Sequence, residues 1–197
     1  RVLTDNYLKQ TEGSFFRDCE DFSSMLYSAY SVPTAVENTA AYANLQRIES
    51  GHLPQTSKSL ALSELQSFLR QTLELTGLSG AEEYFLYFPA YDAVCARDRV
   101  FPRAESCFEG YIAYEEMAFE DVAGWLEEPG MVRLREEKNV TVAGRELNCM
   151  TLLVRPSGAS CVLGILYSRQ TVLDMFGISG LPEDTYFQLS GSDGSTL

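Results

Sequence analysis

The change of periodicity near residue 77 constrains the fold of this 197-residue chain more than any other feature of its sequence. Before that point, apolar side chains recur at helical spacing, as in Leu8, Phe15, Phe22 and Ala29. After it, short aromatic and apolar runs bounded by Gly and Pro dominate, which is typical of strands. Because helices precede strands without βαβ alternation, the sequence predicts an α+β fold with an antiparallel sheet.

Three helices are predicted in the first part of the chain. The first covers residues 3–30 and is interrupted at Pro33. Ser31 is expected to cap a second helix that ends near Ile48. The third helix covers residues 60–75. Long N-terminal helices are therefore expected to pack on the sheet that follows.

The second part of the chain is predominantly β-structure. Helices are predicted only over residues 114–127, with Trp125 facing inward, and over residues 171–176, whereas residues 101–113 are expected to be irregular. The predicted strands cover residues 83–88, 93–100, 131–134, 140–142, 147–154, 160–167 and 186–189. The chain thus divides into a helical region, 1–76, and a sheet region, 77–197, which together form one domain.

The formal charge of −13 and the pI of about 4.5 restrict the partners of this chain. Such an acidic surface repels phosphate backbones and anionic lipid, so binding to nucleic acid or to a membrane surface is not expected. The chain begins with Arg1 and has neither a signal peptide pattern nor an apolar run long enough to span a bilayer. It is expected to be a trimmed piece of a larger protein.

Neither a metal site nor a catalytic site is recognisable. The five cysteines form no C-x-x-C pair, and the single histidine, His52, is expected to be a solvated loop residue. Cys149 and Cys161 lie in apolar runs and are interpreted as buried small hydrophobes. Cys95 and Cys107 flank a turn-rich stretch, where a local disulfide is the alternative to free thiols. No metal or cofactor is therefore expected.

Adjacent carboxylates are the remaining candidates for acid–base chemistry. The first pair is Glu82 and Glu83, and similar pairs occur further along the chain. Neighbouring side chains point in different directions on a helix or strand, so an adjacent pair does not form a general acid–base pair. These carboxylates are expected to be solvated, and the chain is not expected to be an enzyme.

Aromatic side chains crowd residues 84–125, with Arg97, Arg99 and Arg103 among them. Small-molecule pockets are mostly apolar with a few placed polar groups, and tyrosine and tryptophan supply both. An arginine among aromatic rings can hold a carboxylate through two parallel hydrogen bonds. This segment therefore indicates either a ligand pocket or an aromatic core with surface arginines.

The order of the elements resembles a known family of sensor domains. A strand of sequence EYFLYF is followed by a turn, a second strand and a tryptophan-bearing helix, and a strand containing Gly164 runs into a short helix. A later strand ends near Asp193 and Gly194. This order resembles the extracellular Cache sensor domains, with a PAS-like fold, of bacterial membrane-bound transcription regulators and histidine kinases. The residue set of the amino-acid-binding branch is not recognisable.

The resemblance implies an extracellular domain that binds a small molecule between its sheet and the loops of residues 101–128. The first helix would rise from a membrane span and transmit the signal, and it can also pair with a second copy of the chain. A dimerisation module without a ligand is the alternative function. The predicted ligand-binding residues are Tyr87, Tyr91, Arg99, Phe101, Tyr111, Trp125 and Tyr167.

Overall fold

The computed structural model describes residues 2–76, 80–115, 117–128 and 132–175. Within these ranges the chain is an α+β fold of six helices and one antiparallel sheet, as predicted. The helices are α1 (Val2–Glu37), α2 (Ala40–Glu49), α3 (Lys58–Leu75), α4 (Ala104–Gly110), α5 (Phe119–Glu127) and α6 (Arg169–Met175).

Seven strands form the sheet in the described part of the chain. They are β1 (Glu83–Phe88), β2 (Ala93–Ala96), β3 (Val100–Phe101), β4 (Ile112–Tyr114), β5 (Val132–Val142), β6 (Arg145–Val154) and β7 (Val162–Ser168). Their order across the sheet is β3-β2-β1-β7-β6-β5-β4. The first long strand and the last are therefore neighbours at the centre, an arrangement compatible with the PAS-like sheet that the resemblance implies.

Both faces of the central strands are buried, and each face has its own cover. Leu86 and Phe88 of β1 pack with α1, α2 and α3 on what we call the helical face. Phe85 and Tyr87 pack with α4 and α5 on the opposite, crossover face. Alternation along a strand sends successive side chains to opposite faces. An uninterrupted apolar run such as that of β1 is thus explained by a strand covered on both sides.

Close packing at the centre of the sheet depends on a glycine. Phe85 of β1 pairs with Gly164 of β7, and the Phe85 ring occupies the space where a side chain at position 164 would begin. Any larger residue at that position would overlap the ring and force the two central strands apart or the ring out of the core.

The first helix is longer than predicted, and its predicted end is wrong. α1 passes through Pro33 and ends at Glu37, and Ser31 hydrogen-bonds back to Ser28 instead of capping a new helix. The true break lies at Thr39, whose side chain caps α2 by accepting a hydrogen bond from the backbone N–H of Tyr42. Proline removes only one helical hydrogen bond, and the burial of the neighbouring helical side chains offsets that loss.

The apolar stripe of α1 faces the sheet over the part of the helix whose side chains are described. The positions Leu8 and Phe15 of the predicted stripe lie outside those side chains. The later stripe positions Phe22 and Ala29 pack against the core of the helical face. Other side chains of α1 pack there with them, namely Met25, Leu26, Tyr30, Val32 and Val36. The expectation that long N-terminal helices pack on the sheet is confirmed there.

The segment between β3 and β5 differs most from prediction. Residues 101–113 are not irregular, because they contain α4 and β4. The predicted helix over 114–127 is confirmed only from Phe119, since Tyr114 belongs to β4 and pairs with Val140. Elements of three to seven residues are too short for their periodicity to be recognised in the sequence.

Several strand boundaries also change. The predicted strand over residues 93–100 is divided by a turn into β2 and β3, whereas the two strands predicted over 131–142 are one strand, β5, with an irregularity between Glu137 and Val140. The predictions of β1, β6, β7, α3 and α6 are confirmed to within about two residues. The strand predicted over 186–189 lies outside the described residues.

Four of the five cysteines are described, and all four are buried. The interpretation of Cys149 and Cys161 as buried hydrophobes is confirmed. A disulfide between Cys95 and Cys107 is not formed, because Cys95 lies on the helical face and Cys107 on the crossover face. The Sγ of Cys95 instead donates to the carbonyl of Leu62 at 3.3 Å.

We expect substitution of Gly164 by alanine to lower the free energy of unfolding by about 1–3 kcal/mol, because the new methyl group meets the Phe85 ring. Gly124 of α5 is the control, since nothing lies within 4 Å of its would-be side chain and alanine favours a helix. Urea unfolding of both variants is the measurement. Equal stability of Gly164→Ala and Gly124→Ala would contradict the packing described here.

The buried thiol of Cys95 predicts a loss of stability at alkaline pH. Burial raises the pKa of Cys95 to about 12 from an ordinary 9.0. Above about pH 9 the unfolded chain ionises this thiol while the folded chain keeps its proton, so stability falls by about 1.4 kcal/mol per pH unit until about pH 12. Urea unfolding at several pH values in this window should give Cys95→Ala a slope shallower by that amount. Identical slopes for the two proteins would contradict the prediction.

Candidate functional site

A cleft of about 440 Å³ opens beside the C-terminal half of α3. Its walls come from α3, from the segment that enters β1 and from the turn between β2 and β3. The lining residues are Arg70, Leu73, Glu74, Gly80, Ala81, Tyr84, Arg97 and Asp98. The volume is within the range of small-molecule sites, and the wall combines one aromatic ring with several charged groups.

Arg97 is the charged residue of the cleft whose side-chain orientation is best defined by its contacts. Its Nη2 donates to the carbonyl of Ala81 at 2.6 Å, and its guanidinium lies 4.9 Å from the centre of the Tyr84 ring. A guanidinium has five N–H donors in one plane, and a carboxylate accepts two of them side by side. Arg97 is therefore held in one orientation and keeps further donors for a ligand.

The other charged groups of the cleft have both signs. Arg70 and Glu74 project from successive turns of α3, and Asp98 follows Arg97 in the β2–β3 turn. In the part of the chain that the structure describes, no ion pair within 4.0 Å joins any of these four residues. The wall thus offers two cations and two anions to a small molecule.

Glu83 lies at the start of β1 with only 3% of its surface exposed, so the expectation that the Glu82–Glu83 pair is solvated is wrong for this residue. Its Oε1 accepts the backbone N–H of Tyr84 at 2.8 Å and that of Arg97 at 3.1 Å. Its Oε2 accepts the hydroxyl of Tyr111 at 2.9 Å. Three donors to one carboxylate compensate its removal from water.

Three predicted ligand-binding residues meet next to this carboxylate on the crossover face. The guanidinium of Arg99 lies 5.5 Å from the centre of the Tyr111 ring. The centre of the Phe101 ring lies 5.3 Å from the centre of the same Tyr111 ring. Burial, and next the negative charge of Glu83, raise the pKa of Tyr111 above its ordinary value. The hydroxyl of Tyr111 is thus held in its protonated form, as the donor in the hydrogen bond to Glu83.

Tyr87 and Trp125 lie on the same face but contact other partners. Tyr87 donates to Oε1 of Glu127 at 3.1 Å, and burial followed by that charge raises the pKa of Tyr87. Trp125 packs edge-on against Tyr114, and the Arg135 guanidinium lies 5.1 Å from its ring. Both rings are parts of the crossover-face core.

Tyr91 and Tyr167 lie on the helical face, so the seven predicted residues do not form one cluster. Tyr91 packs edge-on against Tyr42, and burial together with that neighbour raises the pKa of Tyr91 to about 12. The Tyr167 hydroxyl contacts Sδ of Met25 at 3.4 Å. None of the seven lines the cleft. Their role in ligand binding stays a prediction.

Two further features bear on function within the described ranges. No group of three or more His, Cys, Asp or Glu side chains is arranged there to hold a metal ion. None of the helices described there combines the length and the apolar character that crossing a bilayer requires. His52 is exposed in its loop, as predicted, and its Nδ1 lies 2.8 Å from the Ser50 hydroxyl.

We expect Tyr111→Phe to lower the free energy of unfolding by about 1.5–3 kcal/mol, because it removes a hydrogen bond to a buried carboxylate. Tyr27→Phe is the matched control, since Tyr27 is 80% exposed and the same change there should stay within about 0.5 kcal/mol. Chemical denaturation of both variants is the measurement. Equal effects at the two positions would mean that the Glu83–Tyr111 bond contributes nothing to stability.

No family model, no curated protein and no solved structure matches the chain.

Proposed function

We propose that this chain is the small-molecule-sensing domain of a bacterial membrane receptor, lying on the extracellular side, and that its ligand binds in the cleft beside α3. The cleft is the observation that carries the proposal. It has the volume of a small-molecule site and contains an arginine whose orientation is already fixed. A preorganised group loses little freedom when a ligand binds.

The position of the cleft supports a sensing role. One wall is α3, and α3 contacts α1, the helix that the family resemblance connects to a membrane span. A ligand that displaces α3 or the β2–β3 turn acts at a distance of one secondary-structure element from α1. Sensing requires two states that differ in ligand affinity, and a helix packed beside the site is suited to report which state is populated.

The charges of the cleft indicate the kind of ligand. Arg97 is suited to a carboxylate, and Glu74 and Asp98 are suited to an amine or another donor group. A molecule with charges of both signs satisfies both sets, whereas a dianion or a dication meets two like charges. The proposed ligand is therefore a small charge-separated molecule bearing a carboxylate.

Four probes with the same four-carbon chain test this preference by thermal shift. They are 4-aminobutyrate, succinate, 1,4-diaminobutane and 1,4-butanediol, which differ in the functional groups at their ends and therefore in the charges that those ends carry. We expect the largest dose-dependent rise in Tm with 4-aminobutyrate, since binding to the folded state alone raises stability by mass action. A larger rise with succinate or 1,4-diaminobutane contradicts the charge argument.

Arg97→Ala should weaken binding of 4-aminobutyrate by about 10–100-fold, the effect of losing a charge-assisted hydrogen-bonded pair. Arg47→Ala is the matched control, because Arg47 is exposed on α2 and does not line the cleft. Isothermal titration of both variants gives the two affinities. An unchanged affinity in Arg97→Ala places the ligand elsewhere.

Dimerisation through α1 is the second candidate function. The observation in its favour is Tyr27, a large side chain of α1 that is 80% exposed beside the partly buried Leu26. Light scattering over a range of protein concentrations distinguishes the two functions. No Tm rise with any of the four probes, combined with concentration-dependent dimers that Tyr27→Glu abolishes, would favour the interaction module.

A further inference from the structure

The turn between β2 and β3 contacts both faces of the sheet. On the helical face, the side chain of Arg97 and that of Asp98 line the cleft. On the crossover face, the Arg99 guanidinium lies over the ring of Tyr111. Three consecutive residues therefore join the proposed ligand site to the layer on the other side of the sheet.

Glu83 provides a second and shorter connection between the same two regions. One carboxylate oxygen holds the backbone N–H of Arg97, and the other holds the hydroxyl of Tyr111. The carboxylate is nearly inaccessible to water, so a donor or acceptor that loses its partner here cannot be resolvated without opening the structure. Movement of the turn at Arg97 is thereby opposed unless Glu83 and Tyr111 move with it.

The connection continues beyond Tyr111. The carbonyl of Tyr111 accepts the backbone N–H of Ala143 at 2.8 Å, and Ala143 lies in the turn between β5 and β6. Tyr111 also stands between α4 and β4, immediately after the helix and before the edge strand. A shift of the Tyr111 side chain is therefore transmitted to α4, to β4 and to the β5–β6 turn.

We infer that Glu83 is a positioning residue that fixes Arg97 at the cleft and couples the β2–β3 turn to Tyr111 on the opposite face. The inference rests on the proposed function for its biological meaning, because it assigns the route by which occupancy of the cleft reaches the crossover layer. The coupling itself is a property of the ligand-free protein. It can therefore be tested whether or not a probe binds.

Hydrogen exchange of the ligand-free 197-residue chain tests the coupling. Arg97→Ala removes the side chain that holds the turn to Ala81 and Tyr84. We expect about fivefold faster exchange over residues 104–114, the effect of losing one hydrogen bond from that segment. Arg70→Ala is the matched control, since Arg70 lines the same cleft but belongs to α3 and not to the β2–β3 turn.

A reference segment separates coupling from general loss of stability. Exchange in α2 should be the same in Arg97→Ala as in the unsubstituted protein, because α2 packs mainly on α1 and α3 and contributes no residue to the cleft. An equal increase in α2 and over residues 104–114 would mean general destabilisation and overturn the inference. So would unchanged exchange over residues 104–114 in Arg97→Ala.

The double variant identifies the route. In a Tyr111→Phe background the hydrogen bond to Glu83 is cut but the ring beneath Arg99 remains, so Arg97→Ala should change exchange over residues 104–114 much less than in the unsubstituted protein. Persistence of the fivefold effect in that background overturns the role of Glu83. Glu83→Gln keeps an acceptor for the two backbone N–H groups, and it should preserve most of the coupling that Glu83→Ala abolishes. These results are independent of the titrations of 4-aminobutyrate, so either proposal can fail alone.

Discussion

Burial of the two central strands on both faces is the constraint on which the rest of the structure depends. A strand buried on one face needs one layer of packing side chains, but β1 and β7 are buried on both faces and need two. Two separate parts of the chain supply these layers. The N-terminal helices form one layer, and the crossover between β3 and β5 forms the other. Every polar group on these strands must then find a partner inside the protein. Glu83 of β1 does so through Tyr111. The same holds on the neighbouring strand β6, where the hydroxyl of the buried Thr151 lies 3.3 Å from that of Tyr114.

This constraint also explains where the cleft lies. Both faces are filled at the middle of the sheet, so open space remains at an end, where α3 finishes, β1 begins and the β2–β3 turn folds over. Such an end combines backbone groups with side chains from three elements. Two arginines of the β2–β3 turn contact the two layers at this end of the sheet. Arg97 packs on Tyr84, and Arg99 packs on Tyr111.

The sequence predicted the fold class and most of the long elements, because their periodicity is strong. The long helix and β1, β6 and β7 carry enough apolar residues to be recognised without tertiary contacts. The short elements α4 and β4 were missed, since seven and three residues contain no complete pattern. Passage of α1 through Pro33 depended on packing against the sheet, which local sequence does not contain.

The candidate site was predicted only in part, for a physical reason. The aromatic segment 84–125 includes Tyr84, Arg97 and Asp98 of the cleft, but the other lining residues precede it. Aromatic crowding also does not distinguish rings that fill a core from rings that line a cavity. Tyr87, Tyr111 and Trp125 lie in the core, whereas Arg97, which the sequence places among the aromatic residues, is the fixed group of the cleft. The one available signal for Glu83 was a lone acidic residue at the start of an otherwise apolar strand. That pattern indicates an internal partner when the strand is buried on both faces.

The contact between Phe85 and Gly164 has a consequence for evolution of the fold. The two positions share one volume on neighbouring strands, so neither can change freely while the other stays the same. A protein that shares this sheet but carries a side chain at the position of Gly164 must carry a smaller residue at the position of Phe85. Such paired variation would be a mark of common descent in sequences that have diverged too far for overall similarity to reveal it.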